Sequence, residues 1–400
     1  MQETGMPPAA EALTMYPRLR LSQKNKEGVY PAMKKLLCLV LALVMSLMCV
    51  SVMAEGAAKK VGISMPTQSL ERWNRDGEYL KQQFEAAGYE TILTYSDNKN
   101  DQQVNDIDNM LSQNVDLLII AAIDGDGLNT VMDRAAEEGV PVISYDRLIG
   151  NDAVSYYVSF DNYTVGTLQG KFVEAALDLA NAGDKTFNME FTAGDPADNN
   201  AGYFFNGAFD VLKGYIEAGT IKVVSGQTEF QQVATAQWNT DTALNRASNL
   251  LASYYADGTV LDAWLCSNDS TAAGVAQAIE SDYAGDNAVI VTGQDGDIAN
   301  LRNIVDGKQT MTVYKNVANE AIVTLEVAKA ILEGAEVGEA LIANFGGIEC
   351  AFDTTSYFTS EGHFTPSFLL VPTVVTKDNL DYLVDTGLYA MGDDGYLIAK

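Results

Sequence analysis

An α/β fold of two doubly wound parallel-sheet halves is predicted by three observations. Six apolar runs each end in a polar cluster: Gly62-Ile63-Ser64, Ile120-Ala121-Ala122, Ser144-Tyr145-Asp146-Arg147, Phe191-Thr192-Ala193-Gly194, Cys266-Ser267-Asn268-Asp269 and Thr292-Gly293-Gln294-Asp295. A stretch with helical apolar spacing follows each run, the rhythm of a parallel sheet with crossover helices. The alternation runs through once, shifts after Tyr156-Tyr157-Val158-Ser159-Phe160, and starts again. Ligands of such sheets lie outside the carboxyl ends of the strands. Polar side chains from both halves are therefore aimed at one place, an arrangement suited to grasping a small polar molecule.

The first half reads in order. Residues 60–64 form a buried strand, and Leu70, Trp73, Gly77, Leu80, Phe84 and Ala87 then mark one helical face that Gly88 ends. A strand at 90–95 precedes a helix carrying Val104, Ile107, Met110 and Leu111. Residues 115–122 are continuously apolar, as expected of a strand covered on both faces. A helix at 128–138 stops at Gly139, and 141–145 is the next strand. The second half opens with a long helix at 164–179. Its strands are 187–192, 221–225, 260–266 and 289–292, with helices at 200–215, 240–255 and 270–279 among them. A strand at 309–314 leads to a helix at 319–332 whose Ile322, Leu325, Ala328 and Leu332 share a face. No low-complexity linker separates the halves, so they join through short strand-like crossings.

The chain start reads as an export signal. Met33-Lys34-Lys35 is a basic opening, 36–50 is almost wholly apolar, and Val52-Met53-Ala54 is a small-residue cleavage site before Glu55. The run is shorter than the roughly 18 residues of a membrane span. Residues 1–32 are expected to be a misannotated leader, since Lys26-Glu27-Gly28 fits translation of a purine-rich ribosome-binding site ahead of Met33. Lipid anchoring through Cys49 is the rival export route; Met48 is larger than the small residue that route needs. The expected product is exported, periplasmic or extracytoplasmic. Removing 1–54 leaves 19 basic and 51 acidic residues and a net charge of −32. Such a chain repels nucleic acid and anionic membranes. Of the cysteines only Cys266 and Cys350 survive cleavage, and Cys266 in its apolar strand reads as an inert buried thiol. A lone histidine, His363, leaves histidine triads and multi-histidine zinc sites without support.

Each candidate site residue has a plainer alternative. Asp146-Arg147 suits either a surface ion pair or a ligand at a strand end. Asp198-Asn199-Asn200 sits before a helix, where Asp and Asn also serve as N-caps. Asn268-Asp269-Ser270 and Gln294-Asp295 share that ambiguity, but their recurrence after equivalent strands favours binding. Trp73 is placed equally well for core or cleft. Trp238, within Gln237-Trp238-Asn239-Thr240, is expected to be exposed to a cleft, so that its loss would harm binding more than folding. Trp264 reads as core. These residue types suit a monosaccharide: charged and amide groups donate to and accept from hydroxyls, while indoles cover C–H faces.

On these residues the chain resembles the periplasmic sugar-binding proteins that feed ABC importers, of the type I, three-crossover class. The likeness spans about 59–376 and is closest to the xylose-binding and multiple-monosaccharide-binding types. It is carried by Glu71-Arg72-Trp73, Tyr145-Asp146-Arg147-Leu148-Ile149, Ser155-Tyr156-Tyr157 with Phe160-Asp161-Asn162, and the run from Gly194 through Asp198-Asn199-Asn200-Ala201. Ser267-Asn268-Asp269, Gly293-Gln294-Asp295 and Met311-Thr312-Val313-Tyr314-Lys315 complete it. The resemblance implies ligand contacts from Arg72, Trp73, Asp146 and Arg147 in one lobe, and from Asp198, Asn200, Trp238, Asn268 and Asp295 in the other. Lys315, just after the second crossing, joins them. It also implies that the two tryptophans sandwich the sugar ring. Hinge strands would lie near 160–162, 312–315 and 370–372. The lobes would be 59–161 plus 315–369 and 162–314 plus 370–400.

The implied partners are a monosaccharide and a membrane permease, with a chemosensory receptor as a further candidate, and the expected state is a monomer. No cofactor or metal is expected: Asp97-Asn98-Lys99-Asn100-Asp101 puts lysine where a calcium loop needs an oxygen ligand. Two rivals share the fold, a sugar-responsive regulator and a sugar-converting enzyme. The regulator would carry a basic DNA-binding headpiece where this chain has an export signal.

Overall fold

The computed structural model describes residues 58–400, so the expected leader at 1–32 and signal at 33–54 lie outside the described residues. The chain starts with β1 (Lys60–Met65), α1 (Glu71–Ala86), β2 (Glu90–Tyr95), α2 (Asn100–Ser112), β3 (Leu117–Ile120), α3 (Asn129–Glu138), β4 (Val142–Tyr145) and β5 (Val154–Phe160). The second series is α4 (Asn162–Ala176), β6 (Phe187–Thr192), α5 (Asn199–Glu217), β7 (Ile221–Val223), α6 (Phe230–Val233), α7 (Thr240–Tyr254), β8 (Ala263–Cys266), α8 (Asp269–Asp282), β9 (Ile290–Val291), α9 (Ile298–Asp306) and β10 (Met311–Tyr314). Then come α10 (Val317–Glu333), β11 (Cys350–Asp353), β12 (Ser367–Leu370), β13 (Thr373–Thr376), α11 (Asp381–Asp385), β14 (Tyr389–Met391) and β15 (Leu397–Ala399).

The first sheet has the order β11-β12-β5-β4-β3-β1-β2, parallel except for the edge strand β11. Strand alternation sorts its side chains onto two faces. Val61, Ile63, Leu117 and Ile119 pack with Leu80, Phe84, Ala321 and Val327 from α1 and α10. Leu118 and Ile120 pack on the other face with Met110 and Met132 from α2 and α3. Every residue of β3 is buried, which is why its sequence is apolar without alternation.

The second sheet has the order β7-β6-β8-β9, all parallel. Strand β10 extends it: Val313 bridges Gln294 in parallel and exchanges backbone hydrogen bonds with Gly293 and Asp295. Antiparallel β13 pairs with β10. Phe191 and Leu265 pack toward Phe205 and Leu212 of α5, while Trp264 and Cys266 pack toward α7 and α8. Helices α4 and α5 come close through small residues. A Cβ on Gly166 would lie 1.9 Å from the Phe204 carbonyl oxygen.

Three passages link the sheets, and a side-chain cap anchors two of them. Asp161 after β5 caps α4 by accepting from the Thr164 amide at 2.9 Å. Asn316 after β10 caps α10 by accepting from the Asn319 amide at 3.1 Å. Val371-Pro372 joins β12 of the first sheet to β13 of the second. The molecule is thus two doubly wound lobes joined by three crossings.

Some elements differ from expectation. The helix expected at 164–179 ends at Ala176, because Asp178 adopts φ 49° and a short 3-10 turn follows at Leu179–Asn181. The short strands β11, β14 and β15 carry no strong periodicity, and α9 is not among the expected elements although its Ile298, Leu301, Ile304 and Val305 share one face. Trp264 is fully buried and donates its Nε1–H to Thr192 Oγ1 at 2.9 Å. Cys266 is a buried free thiol that burial pushes well up in pKa. Among the described residues no helix is long and apolar enough to cross a membrane.

Candidate functional site

The carboxyl ends of β1, β4, β6, β8 and β9 converge on a narrow cavity of about 20 Å³ between the lobes. Nine of the ten expected residues line it: Arg72, Trp73, Asp146, Arg147, Asp198, Trp238, Asn268, Asp295 and Lys315. Leu70 and Phe204, which sequence reasoning did not select, also form its wall, together with Ser270 and Gln294 of the two strand-end clusters. Gln294 stands beside the selected Asp295, and its Oε1 is buried without a partner.

Arg72 projects from the first turn of α1 and organises the floor. Its Nη1 lies 3.0 Å from Asp146 Oδ2 and donates to Asp295 Oδ1 at 3.2 Å. Its Nη2 donates to Asp76 Oδ1 at 2.7 Å. Lys315 Nζ donates to Asp146 Oδ2 at 3.0 Å and lies 3.4 Å from Asp295 Oδ1. All of these groups are nearly or fully buried. Burial opposes charge on Arg72, but the surrounding carboxylates outweigh it and keep the guanidinium charged. Burial would likewise raise the Asp146 carboxyl, yet Arg72 and Lys315 hold it at about 2. It stays ionised at any physiological pH.

Behind Arg72 lie Asp76 and Glu320. Tyr145 donates its hydroxyl to Asp76 Oδ1 at 2.8 Å. Glu320 Oε2 is 3.8 Å from Arg72 Nη2, and neither Glu320 oxygen has a hydrogen-bond partner. Burial pushes its carboxyl well above the usual range, which favours the neutral acid.

On the opposite side Arg147 Nε sits 3.3 Å from Asp198 Oδ2, and Nη1 donates to the Ala122 carbonyl at 3.0 Å. Asp146 and Arg147 therefore each pair elsewhere rather than with one another. Both guanidiniums lie over the Trp73 ring, at 4.4 Å from its centroid for Arg72 and 5.0 Å for Arg147. Trp73 is both cleft and core: it lines the cavity, is 2% exposed, and packs into the first lobe's apolar cluster.

Trp238 lines the cavity as expected, but the expectation that it would be exposed and remote from the core is corrected. It is 4% exposed and packs with Phe204, Val165 and Met311. Its Nε1–H donates to Asp198 Oδ2 at 3.2 Å, and Gly194 leaves the ring its space: a Cβ there would sit 2.0 Å from Cη2. A local polar sequence concealed this, because the apolar partners come from distant elements.

The N-cap and site readings coexist. Asp198 caps α5 through Oδ1, accepting from the Asn200 amide at 2.9 Å, while Oδ2 serves Arg147 and Trp238. Asn268 caps α8 through Oδ1, accepting from the Thr271 amide at 2.9 Å, and its Nδ2 remains to donate. Asn200 stands one layer back from the cavity. Its Nδ2 donates to the Asp146 carbonyl at 2.6 Å and its Oδ1 accepts from Tyr157 at 3.1 Å. It thereby fixes Asp146, whose φ is 54°. Trp238 at φ 53° and Asp295 at φ 103° are also in the left-handed half of φ space. Such backbone in non-glycine residues concentrates where a side chain must be aimed.

The wall thus carries three cations, three carboxylates, two amides and two indoles. Balanced charge and dense donors and acceptors fit a neutral, hydroxyl-rich ligand rather than an ion. Asp152, Glu361 and His363 bring potential metal-ligating atoms within 4.8 Å of one another, but all three are exposed and none lines the cavity.

Comparison with known proteins agrees with this geometry. The family model described as a periplasmic binding protein domain matches residues 61–336. The multiple sugar-binding periplasmic protein SbpA of Azospirillum brasilense is 39% identical over 82% of this chain and 89% of its own length. The D-xylose-binding periplasmic protein of Escherichia coli is 33% identical over 88% of this chain and 97% of its own. An ABC transporter solute-binding protein of Clostridium phytofermentans, solved with bound β-D-glucose, is 47% identical with a TM-score of 0.78, covering 84% of this chain and 99% of that one. The chain belongs to the periplasmic binding protein family.

Proposed function

We propose that this protein captures a monosaccharide between its lobes outside the cytoplasmic membrane and delivers it to the permease of an ABC importer. The observation that carries this is a cavity lined by polar side chains of both lobes, with its charges balanced and with Asn268 Nδ2 and Gln294 Oε1 left to bond a ligand. Relatives named as sugar-binding periplasmic proteins support it, and so does the glucose held by a solved relative. They also set it apart from an enzyme or a regulator. The first ligand to try is D-glucose, with D-xylose second. D-xylose is D-glucose without its hydroxymethyl arm, so one set of hydroxyl contacts serves both.

We take the lobes as 59–161 plus 315–369 and 162–314 plus 370–400, hinged at the three crossings. The chain acts as a monomer, is exported behind the signal at 33–54, and its closed form is also the one a chemosensory receptor would read. A thermal-shift panel of aldohexoses and aldopentoses tests the ligand. Sugar at a hundred times its Kd stabilises by about 2.7 kcal/mol, which raises Tm by several degrees. A flat response to every sugar would remove the proposal, and conversion of a sugar to product would replace it with an enzyme.

A further inference from the structure

We infer that Glu71 and Arg75 form a closure latch, separate from the sugar-binding wall, that holds the two lobes together and fixes the turn carrying Asp295. This rests on the reading that the lobes close over a ligand.

Glu71 and Arg75 lie four residues apart on α1 of the first lobe, and neither lines the cavity. Arg75 grips a turn of the second lobe at three points and Tyr389 of β14 at a fourth. Its Nη1 donates to the Gly296 carbonyl at 3.2 Å and to the Tyr389 hydroxyl at 2.9 Å. Its Nη2 donates to the Asp295 carbonyl at 3.3 Å and to Asp297 Oδ1 at 3.2 Å. Tyr389 in turn donates to the Gly296 carbonyl at 3.2 Å. Glu71 receives the Ile298 amide at 3.2 Å on each carboxylate oxygen. That amide is at the first turn of α9, where an anion is favoured by the unpaired N–H groups.

The gripped segment needs holding. Asp295 at φ 103° and Gly296 at φ 71° form a left-handed turn, and the Asp295 carboxylate reaches Arg72 across the cavity. Fixing both carbonyls of this turn fixes where that carboxylate points. A guanidinium fork does this and an ammonium cannot reproduce it. Opening the lobes would break the Arg75 bonds to Asp295, Gly296 and Asp297 together with the Glu71–Ile298 bond. The latch therefore retards release more than it speeds capture. Arg75 and Glu71 are positioning residues and do not touch the ligand.

The test is stopped-flow binding of D-glucose to the mature chain and to its Arg75→Gln and Glu71→Ala variants. The expected result is a rise in koff of about tenfold for Arg75→Gln and less for Glu71→Ala, with kon within twofold of the parent. Arg75→Lys should recover only part of the loss. An unchanged koff in Arg75→Gln would overturn the latch, as would a loss seen only in kon. Hydrogen exchange of the ligand-free chain separates this from the sugar reading. If the parent binds no sugar, the functional proposal fails. The latch still requires faster exchange at 296–298 in both variants, and unchanged exchange there overturns it.

Discussion

Arg72→Ala is expected to abolish sugar binding and to lower unfolding free energy by roughly 3–5 kcal/mol, the usual cost of stranding a buried charge partner. Arg72 is the shared counter-ion of Asp76, Asp146 and Asp295, all nearly or fully buried. Without it Lys315 alone faces Asp146 and Asp295, and Asp76 retains only the Tyr145 hydroxyl. Arg72→Lys restores one charge but cannot span Asp76 on one side and Asp146 on the other. It should regain part of the stability and little of the affinity. Urea denaturation and titration calorimetry read the two effects. A variant with parental stability and affinity would show that the ion cluster is incidental.

Trp238→Ala comes next in size. It should cost about 3–5 kcal/mol of stability as a large-to-small change in a packed site, and weaken sugar binding as well. The indole fills the space above Gly194, meets Phe204 at a centroid distance of 6.1 Å, and donates to Asp198. Removing it frees the carboxylate that also pairs with Arg147. Trp238→Phe keeps most of the packing and loses the Asp198 bond, so its stability loss should be much smaller while its affinity loss persists. Thermal melts with calorimetry separate the two variants. Lost affinity at unchanged Tm in Trp238→Ala would restore the exposed-cleft expectation.

The parts of the fold legible in the sequence were those where burial on two faces forces a continuous apolar run. Residues 115–122 announce β3 for that reason, whereas β6 shows itself by alternation, with Phe187, Met189 and Phe191 separated by polar residues. Gly139 stops α3 at φ 69°, a conformation open to glycine at little cost. Strand β11 was not legible, since its Cys350-Ala351-Phe352-Asp353 is a partly exposed sheet edge. Nor were the three-residue strands β14 and β15, which are too short to show a period.

The site was legible through the rule that ligands sit at strand ends. That rule locates Asp146, Asn268 and Asp295 directly. It cannot distinguish the wall from the layer behind it: Asn200 and the wall residue Gln294 are both amides within two residues of an aspartate in a strand-end cluster. It also says nothing of Asp76 and Glu320, whose importance comes from Arg72 rather than from a strand end. The grip of Arg75 on 295–297 was beyond sequence reasoning, because it joins residues more than two hundred positions apart that meet through the packing of the lobes.

Titration calorimetry of the mature chain with D-glucose and D-xylose, beside Asp295→Asn, tests the central claim most directly. One sugar should bind per chain with saturating heat. Asp295→Asn should weaken binding about tenfold, consistent with the roughly 1–3 kcal/mol of a hydrogen-bonding group left unsatisfied in a closed cavity. Absence of saturable heat with both sugars and with the remaining aldohexoses and aldopentoses, or an Asp295→Asn variant that binds like the parent, would contradict the account.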